Sequence, residues 1–166
     1  MKLEVLDQTP FQEIIMDGIS EVSHPPKLNI NVGDGCDVLL ENCAFQWLTC
    51  ELVNNCAEKD TETGVSICIG LTYDPDRDQF CLTIGDDIHY PPDQISAILT
   101  NLRKKQSSTI GKSPAKMSKG GIGKQCSENI LRRWGGNLTY SAAEDNSILA
   151  VATWQKTLFF SPLPLK

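Results

Sequence analysis

No run in this sequence approaches the ~18 apolar residues that a membrane-spanning helix needs, and its first residues lack a secretory leader's pattern. Positive charge is also scarce. Fifteen Lys and Arg stand against 21 Asp and Glu, a net charge of −6, which argues against a nucleic-acid binder that works by neutralising phosphates. No Cys-x-x-Cys pair occurs, and the seven cysteines are an odd number. A zinc site or a disulfide framework is therefore disfavoured, and reduced thiols packed as small hydrophobes are expected. Cys36, Cys43 and Cys50 recur every seven residues, as on one buried helix face, while Cys68 and Cys81 lie in strand-like runs. There is no internal repeat and no Walker Gly-x-x-x-x-Gly-Lys-Ser/Thr. The expectation is a soluble, cytoplasmic protein, or a piece cut from a larger membrane-anchored one, with no nucleic-acid partner and no membrane span in this chain.

What is present suits a single domain. A chain of 166 residues, 40% apolar and 22% charged, is long enough to bury a proper core. Met1 to Leu6 reads as a short strand. Thr9-Pro10-Phe11-Gln12 reads as a helix start with Thr9 as N-cap; Phe11, Ile14, Ile15, Ile19 and Val22 form its apolar face, and His24-Pro25-Pro26 ends it. Lys27 to Val32 alternates as a strand does, with Leu28, Ile30 and Val32 on one side. Gly33-Asp34-Gly35 then turns the chain into a long helix, Val38 to Glu58. Strands at Val65 to Tyr73 and Gln79 to Ile84 flank a turn-rich link, which predicts a hairpin. Asp93 to Lys105 has a helical stripe of Ile95, Ile98, Leu99 and Leu102. Lys104 to Lys119 is a Ser-, Lys- and Gly-rich loop of the kind that often covers a site. Gly120-Gly121-Ile122-Gly123 opens a helix to Trp134 that Gly135-Gly136 stops, strands at Asn137 to Ser141 and Ser147 to Trp154 follow, and Ser161 to Lys166 is a tail.

Three stretches carry candidate chemistry. Glu51 and Asn55 are four residues apart, so they share a helix face. Their oxygens suit Mg²⁺, and a carboxylate beside a metal-bound phosphate is a candidate base; the alternative is a solvated polar stripe. Lys119-Gly120-Gly121-Ile122-Gly123-Lys124 offers free backbone N–H groups and the positive end of a helix dipole, an arrangement that holds phosphate. A plain helix start after a tight turn is the alternative. Asp86 ends a buried-looking strand and is placed to accept from the exocyclic amine of adenine, a bond of ~1.5–3 kcal/mol, or else it is a turn aspartate.

The order of these pieces resembles the ATP-binding domain of histidine kinases, part of the group shared with gyrase B and MutL (the Bergerat fold). Glu51-Leu52-Val53-Asn54-Asn55-Cys56 looks like that family's N box, and Leu82-Thr83-Ile84-Gly85-Asp86 like the strand leading to its adenine-reading Asp. Gly121-Ile122-Gly123, with Ile130 to Leu138, looks like the second glycine box, its helix and the exit strand. The resemblance spans Lys27 to Thr157, and it divides the chain into 1–26, an ATP-binding domain at 27–157, and a tail at 158–166. It implies an α/β two-layer sandwich, with helices on one face of a mixed sheet.

By the same resemblance Asn55 would hold Mg²⁺, and Glu51 would be the catalytic N-box residue. Asp86 would read adenine, Gly121 and Gly123 would wrap the phosphates with Lys119 and Lys124 beside them, and the loop would be the ATP lid. The implied cofactors are ATP and Mg²⁺, and the implied partner is a protein phosphoacceptor or receiver. The chain departs from the pattern at the first glycine box, where Asp86-Asp87-Ile88-His89-Tyr90 has lost both glycines. Ile88 and Tyr90 would then obstruct the purine, unless Tyr90 stacks on it. Glu58 stands where the N box often has a basic residue. The phosphoacceptor helix pair is also missing, since His24 precedes two prolines. Two readings follow: a Mg·ATP-binding kinase-type domain transferring phosphate to a protein, or a degenerate, non-catalytic module that docks a signalling partner.

Overall fold

The structure is a computed structural model and describes residues 9–19, 25–57, 64–104 and 119–160. The expected strand at Met1 to Leu6, Val22 and His24, Glu58, most of the Lys104 to Lys119 loop and Ser161 to Lys166 lie outside the described residues. Five strands form one mixed sheet in the order β1-β2-β3-β5-β4: β1 (Lys27–Val32), β2 (Ser66–Asp74), β3 (Gln79–Asp86), β4 (Asn137–Ala142) and β5 (Ile148–Gln155). β1 and β2 are parallel, so the chain needs a helical crossover between them. The other pairings are antiparallel, and β2–β3 is the expected hairpin. Burial alternates along β1, β2 and β5, the pattern of a sheet with one covered face. This is the α/β two-layer architecture expected from the sequence.

The crossover differs from the single helix predicted at Val38 to Glu58. It breaks into α2 (Asp37–Leu40) and α3 (Cys43–Ala57). Asn42 makes the break: its Oδ1 accepts the Phe45 N–H at 3.0 Å, which caps α3 and satisfies a donor the helix start would leave orphaned. The break also ends the seven-residue cysteine register. Cys36 and Cys50 are buried, but Cys43 is exposed at the start of the new helix, as is Cys68 on the open sheet face.

Helices α1 (Thr9–Gly18), α3 and α5 (Lys119–Arg133) lie on the covered side, α4 (Pro92–Lys104) packs beside β4, and the short α6 (Lys156–Phe159) follows β5. α1 places Phe11 and Ile15 in the common core and leaves Ile14 39% exposed. It ends at Gly18, earlier than predicted, where a Cβ would meet Cys50 Sγ at 2.6 Å. α5 ends in a Schellman motif: Gly136 N–H bonds Leu131 O, Gly135 N–H bonds Arg132 O, and Gly135 takes a φ of +69°. The core of Leu48, Leu52, Val53, Ile67, Ile69, Leu82 and Ile84 is sealed at one end by Trp154, whose ring lies 5.7–6.5 Å from those of Phe45, Phe80, Trp134 and Phe159. Each such fully buried side chain contributes ~1.5–3 kcal/mol.

Candidate functional site

The aromatic seal fixes the direction of the elements that carry the candidate residues. β3 passes Trp154 at Phe80, its second residue, and runs away to Asp86. α3 starts near the same ring through Phe45 and runs away to Glu51 and Asn55. α5 ends there through Trp134, so its glycines lie at the far end. The topology therefore brings Glu51, Asn55, Asp86, Gly121 and Gly123 towards the end of the domain opposite the aromatics.

Glu51 and Asn55 are both half-buried on α3, while Leu52, Val53 and Cys56 face the core. Glu51 lies against α5. A Cβ built on Gly123 would fall 1.9 Å from Glu51 Oε2, so the carboxylate occupies the space that any other side chain would take. Gly123 O in turn accepts the buried Ser127 hydroxyl at 2.9 Å. Lys119 to Gly123 form the first turn of α5, so the glycine stretch is helical from its first residue.

Asp86 is the last residue of β3 and is 6% exposed. Its Oδ1 accepts the Ile88 N–H at 3.1 Å, an Asx turn that reverses the chain out of the strand. Beyond it, Asp87 stays on the edge of β2, donating to Ser66 O at 3.1 Å and accepting from Ser66 N–H at 3.0 Å. Ile88 packs against the core. His89 Nδ1 then lies 2.8 Å from Asp145 O, and Tyr90 N–H donates to Asn146 O at 3.1 Å. The segment from His89 to Tyr90 is thus fastened to the β4–β5 turn. Sequence reasoning missed this turn. Its signal was Asp145-Asn146-Ser147, in which Asp145 Oδ1 accepts the N–H and hydroxyl of Ser147, bonds that hold its carboxyl below the usual range.

Lys124, the next residue of α5, reaches α4 and β4. Its Nζ donates to Leu102 O in the last turn of α4 and sits 5.1 Å from the centre of the Tyr140 ring. Burial, with Glu128 and Cys56 nearby, pushes the Tyr140 phenol up to about 12. The side chain of Lys119 lies outside the described residues, and of Gly121 only its place in the first turn of α5 is described. Among the described residues, no group of three or more His, Cys, Asp or Glu is placed to hold a metal ion, and no helix is long and apolar enough to cross a membrane.

No protein-family model matches the sequence, and no curated protein matches it. Among solved structures the chain is similar to the histidine kinase domain of the EL346 blue-light activated histidine kinase from Erythrobacter litoralis, at 16% identity and a TM-score of 0.47 over 91% of this chain and 64% of that one. It is similar to the longer EL346 kinase at 13% identity and a TM-score of 0.47, over 89% of this chain and 38% of that one. The catalytic domain of histidine kinase ThkA, in a nucleotide-free form, aligns at 14% identity and a TM-score of 0.47 over 94% of this chain and 97% of that one. The chain thus spans less than two thirds of the first two proteins it matches.

Proposed function

We propose that residues 27–157 form a Mg·ATP-binding, kinase-type domain that positions a γ-phosphoryl group for transfer to a protein partner in the cytoplasm. The observation that carries the reading is the contact between the Glu51 carboxylate and Gly123. Two motifs more than 70 residues apart in sequence meet there, the Glu51 carboxylate filling the space a β-carbon on Gly123 would take. A buried carboxylate at the end of β3, Asp86, supplies the third element at the same end of the domain.

The residues present fit such a ligand. Asp86 would accept from the adenine amine, and the backbone N–H groups of Lys119 to Gly121, at the positive end of α5, would face the phosphates. Asn55 would hold Mg²⁺ through its carboxamide oxygen. The ion, when bound, offsets phosphate charge and orients the terminal group. Glu51 sits one helical turn from Asn55, and its carboxylate would take a proton from an incoming hydroxyl or imidazole.

A second reading is a non-catalytic module that docks a signalling partner. It is favoured by the segment after Asp86, where Ile88 packs against the core and the Tyr90 N–H is bonded to Asn146 O instead of two glycines leaving space.

Thermal denaturation with Mg·ATP or a non-hydrolysable analogue separates the two. A ligand at ~100 times its Kd adds about 2.7 kcal/mol of apparent stability. Asp86→Asn keeps an acceptor for the Ile88 N–H, so the fold persists while the ligand-induced shift disappears. A wild-type protein with no shift at millimolar nucleotide is the docking module, and a shift that survives Asp86→Asn removes that residue from the site.

A further inference from the structure

Among the described residues, α4 is the least buried of the long helices. Its stripe of Ile95, Ile98, Leu99 and Leu102 is half-buried throughout, whereas α3 buries Phe45, Leu48, Leu52 and Val53 almost completely. With less apolar surface removed from water, the position of α4 depends on how its two ends are held. The N-terminal end follows the segment stapled by His89 and Tyr90 to Asp145 and Asn146. The C-terminal end is held by Lys124, which donates to the Leu102 carbonyl. That carbonyl belongs to a helix's last turn, where acceptors lack intrahelical partners and the dipole favours a cation. The Tyr140 ring backs the ammonium from the β4 side. Glu128, one turn along α5, is a charged group near the Tyr140 ring.

Lys124 is also the residue next to Gly123. Consecutive positions of α5 therefore touch Glu51 on one side and hold α4 on the other. We infer that Lys124 is a positioning residue that latches α4 onto α5, and that this latch pre-organises the site beside Asp86, so that nucleotide binds more weakly when it is released. The second half of this inference rests on the nucleotide-binding reading; the first half does not.

Hydrogen exchange followed by mass spectrometry on the nucleotide-free chain tests the latch. In Lys124→Met the amides of α4 are expected to exchange about tenfold faster or more, with α3 and β3 unchanged, and Lys124→Arg is expected to restore wild-type exchange. Unchanged α4 exchange in Lys124→Met overturns the latch, as does an equal rise in α3 and β3, which marks general destabilisation. Calorimetric titration of the same proteins with ADP and Mg²⁺ tests the coupling. Lys124→Met is expected to bind about five- to tenfold more weakly. Equal affinity with a loosened α4 overturns the coupling and leaves the latch. A wild type that binds no ADP overturns the nucleotide reading together with the coupling, and the exchange data still decide the latch.

Discussion

The two ends of the sheet are built on different physics. At one end Trp154, Phe80, Phe45, Trp134 and Phe159 pack ring against ring. Asp78 closes that end, accepting from the Tyr73 hydroxyl and from the N–H and hydroxyl of Thr157, with the Lys156 ammonium 4.6 Å from the centre of the Tyr73 ring. At the other end the side chains are carboxylates, a carboxamide and glycines, and the chain after β3 is held by hydrogen bonds to a turn. Aromatic burial stabilises without regard to ligands, whereas polar groups at the other end are held by hydrogen bonds, as the Asp86 carboxylate is by the Ile88 N–H. The first end holds the fold and the second is available for chemistry.

Breaking the aromatic end is expected to have the largest effects. Gly136→Ala would drive a Cβ to 1.8 Å from Thr153 O and 2.7 Å from Trp154 Cα, both backbone atoms that cannot swing aside. A loss of about 4 kcal/mol or more, or failure to fold, is expected in urea denaturation. Trp154→Ala should cost about 3–5 kcal/mol by the same measurement. Trp154→Phe should cost less, because it also removes an indole N–H that is buried without a hydrogen-bond partner among the described residues.

At the site end the same kind of change should separate stability from binding. Gly123→Ala would put a Cβ against the tip of a flexible Glu51 side chain, which can move. Alanine's helix propensity offsets the shift, so stability should change by no more than about 1 kcal/mol. Nucleotide affinity should nevertheless fall as Glu51 is displaced. A Gly123→Ala protein that melts like wild type and binds Mg·ATP equally well would break the contrast between the ends.

The smallest effect is the dependence on acid, and it spans both ends. Asp78 is held below its ordinary value of 3.8 chiefly by the Thr157 bonds, and Asp145 below the same value chiefly by Ser147. A lowered native pKa means that the unfolded chain takes up the proton first. The stabilisation is therefore complete above about pH 4 and is lost as pH falls through the lower native values. Melting temperatures between pH 5 and pH 2 should fall less steeply for Asp78→Asn and Asp145→Asn than for wild type, and parallel curves would remove the two carboxyls from the acid transition.

Periodicity made most of the fold legible. The alternation in Lys27 to Val32, the hairpin around Asp74 to Asp78 and the Gly135-Gly136 stop are local signals, and the structure has each of them. The break at Asn42 was harder to read, because an Asn is as acceptable on a helix surface as at a cap until its side chain finds the Phe45 N–H. The stripe of α4 was read correctly as a pattern, yet its half-burial depends on how little of the sheet α4 covers. Cys43 and Cys68 were expected inside and are exposed, since spacing gives a face but not the element that covers it.

The sequence by itself determined the elements, their order and the residue types available for chemistry, because turn residues, caps and apolar spacing act within a few positions along the chain. Only the tertiary structure decided which of those residues meet. That Glu51 rests on Gly123, that Lys124 serves α4, and that His89 and Tyr90 are fastened to Asp145 and Asn146 all depend on contacts between residues 22 to 72 positions apart. Side-chain spacing along one segment carries no information about the approach of another; packing of the shared core sets that distance.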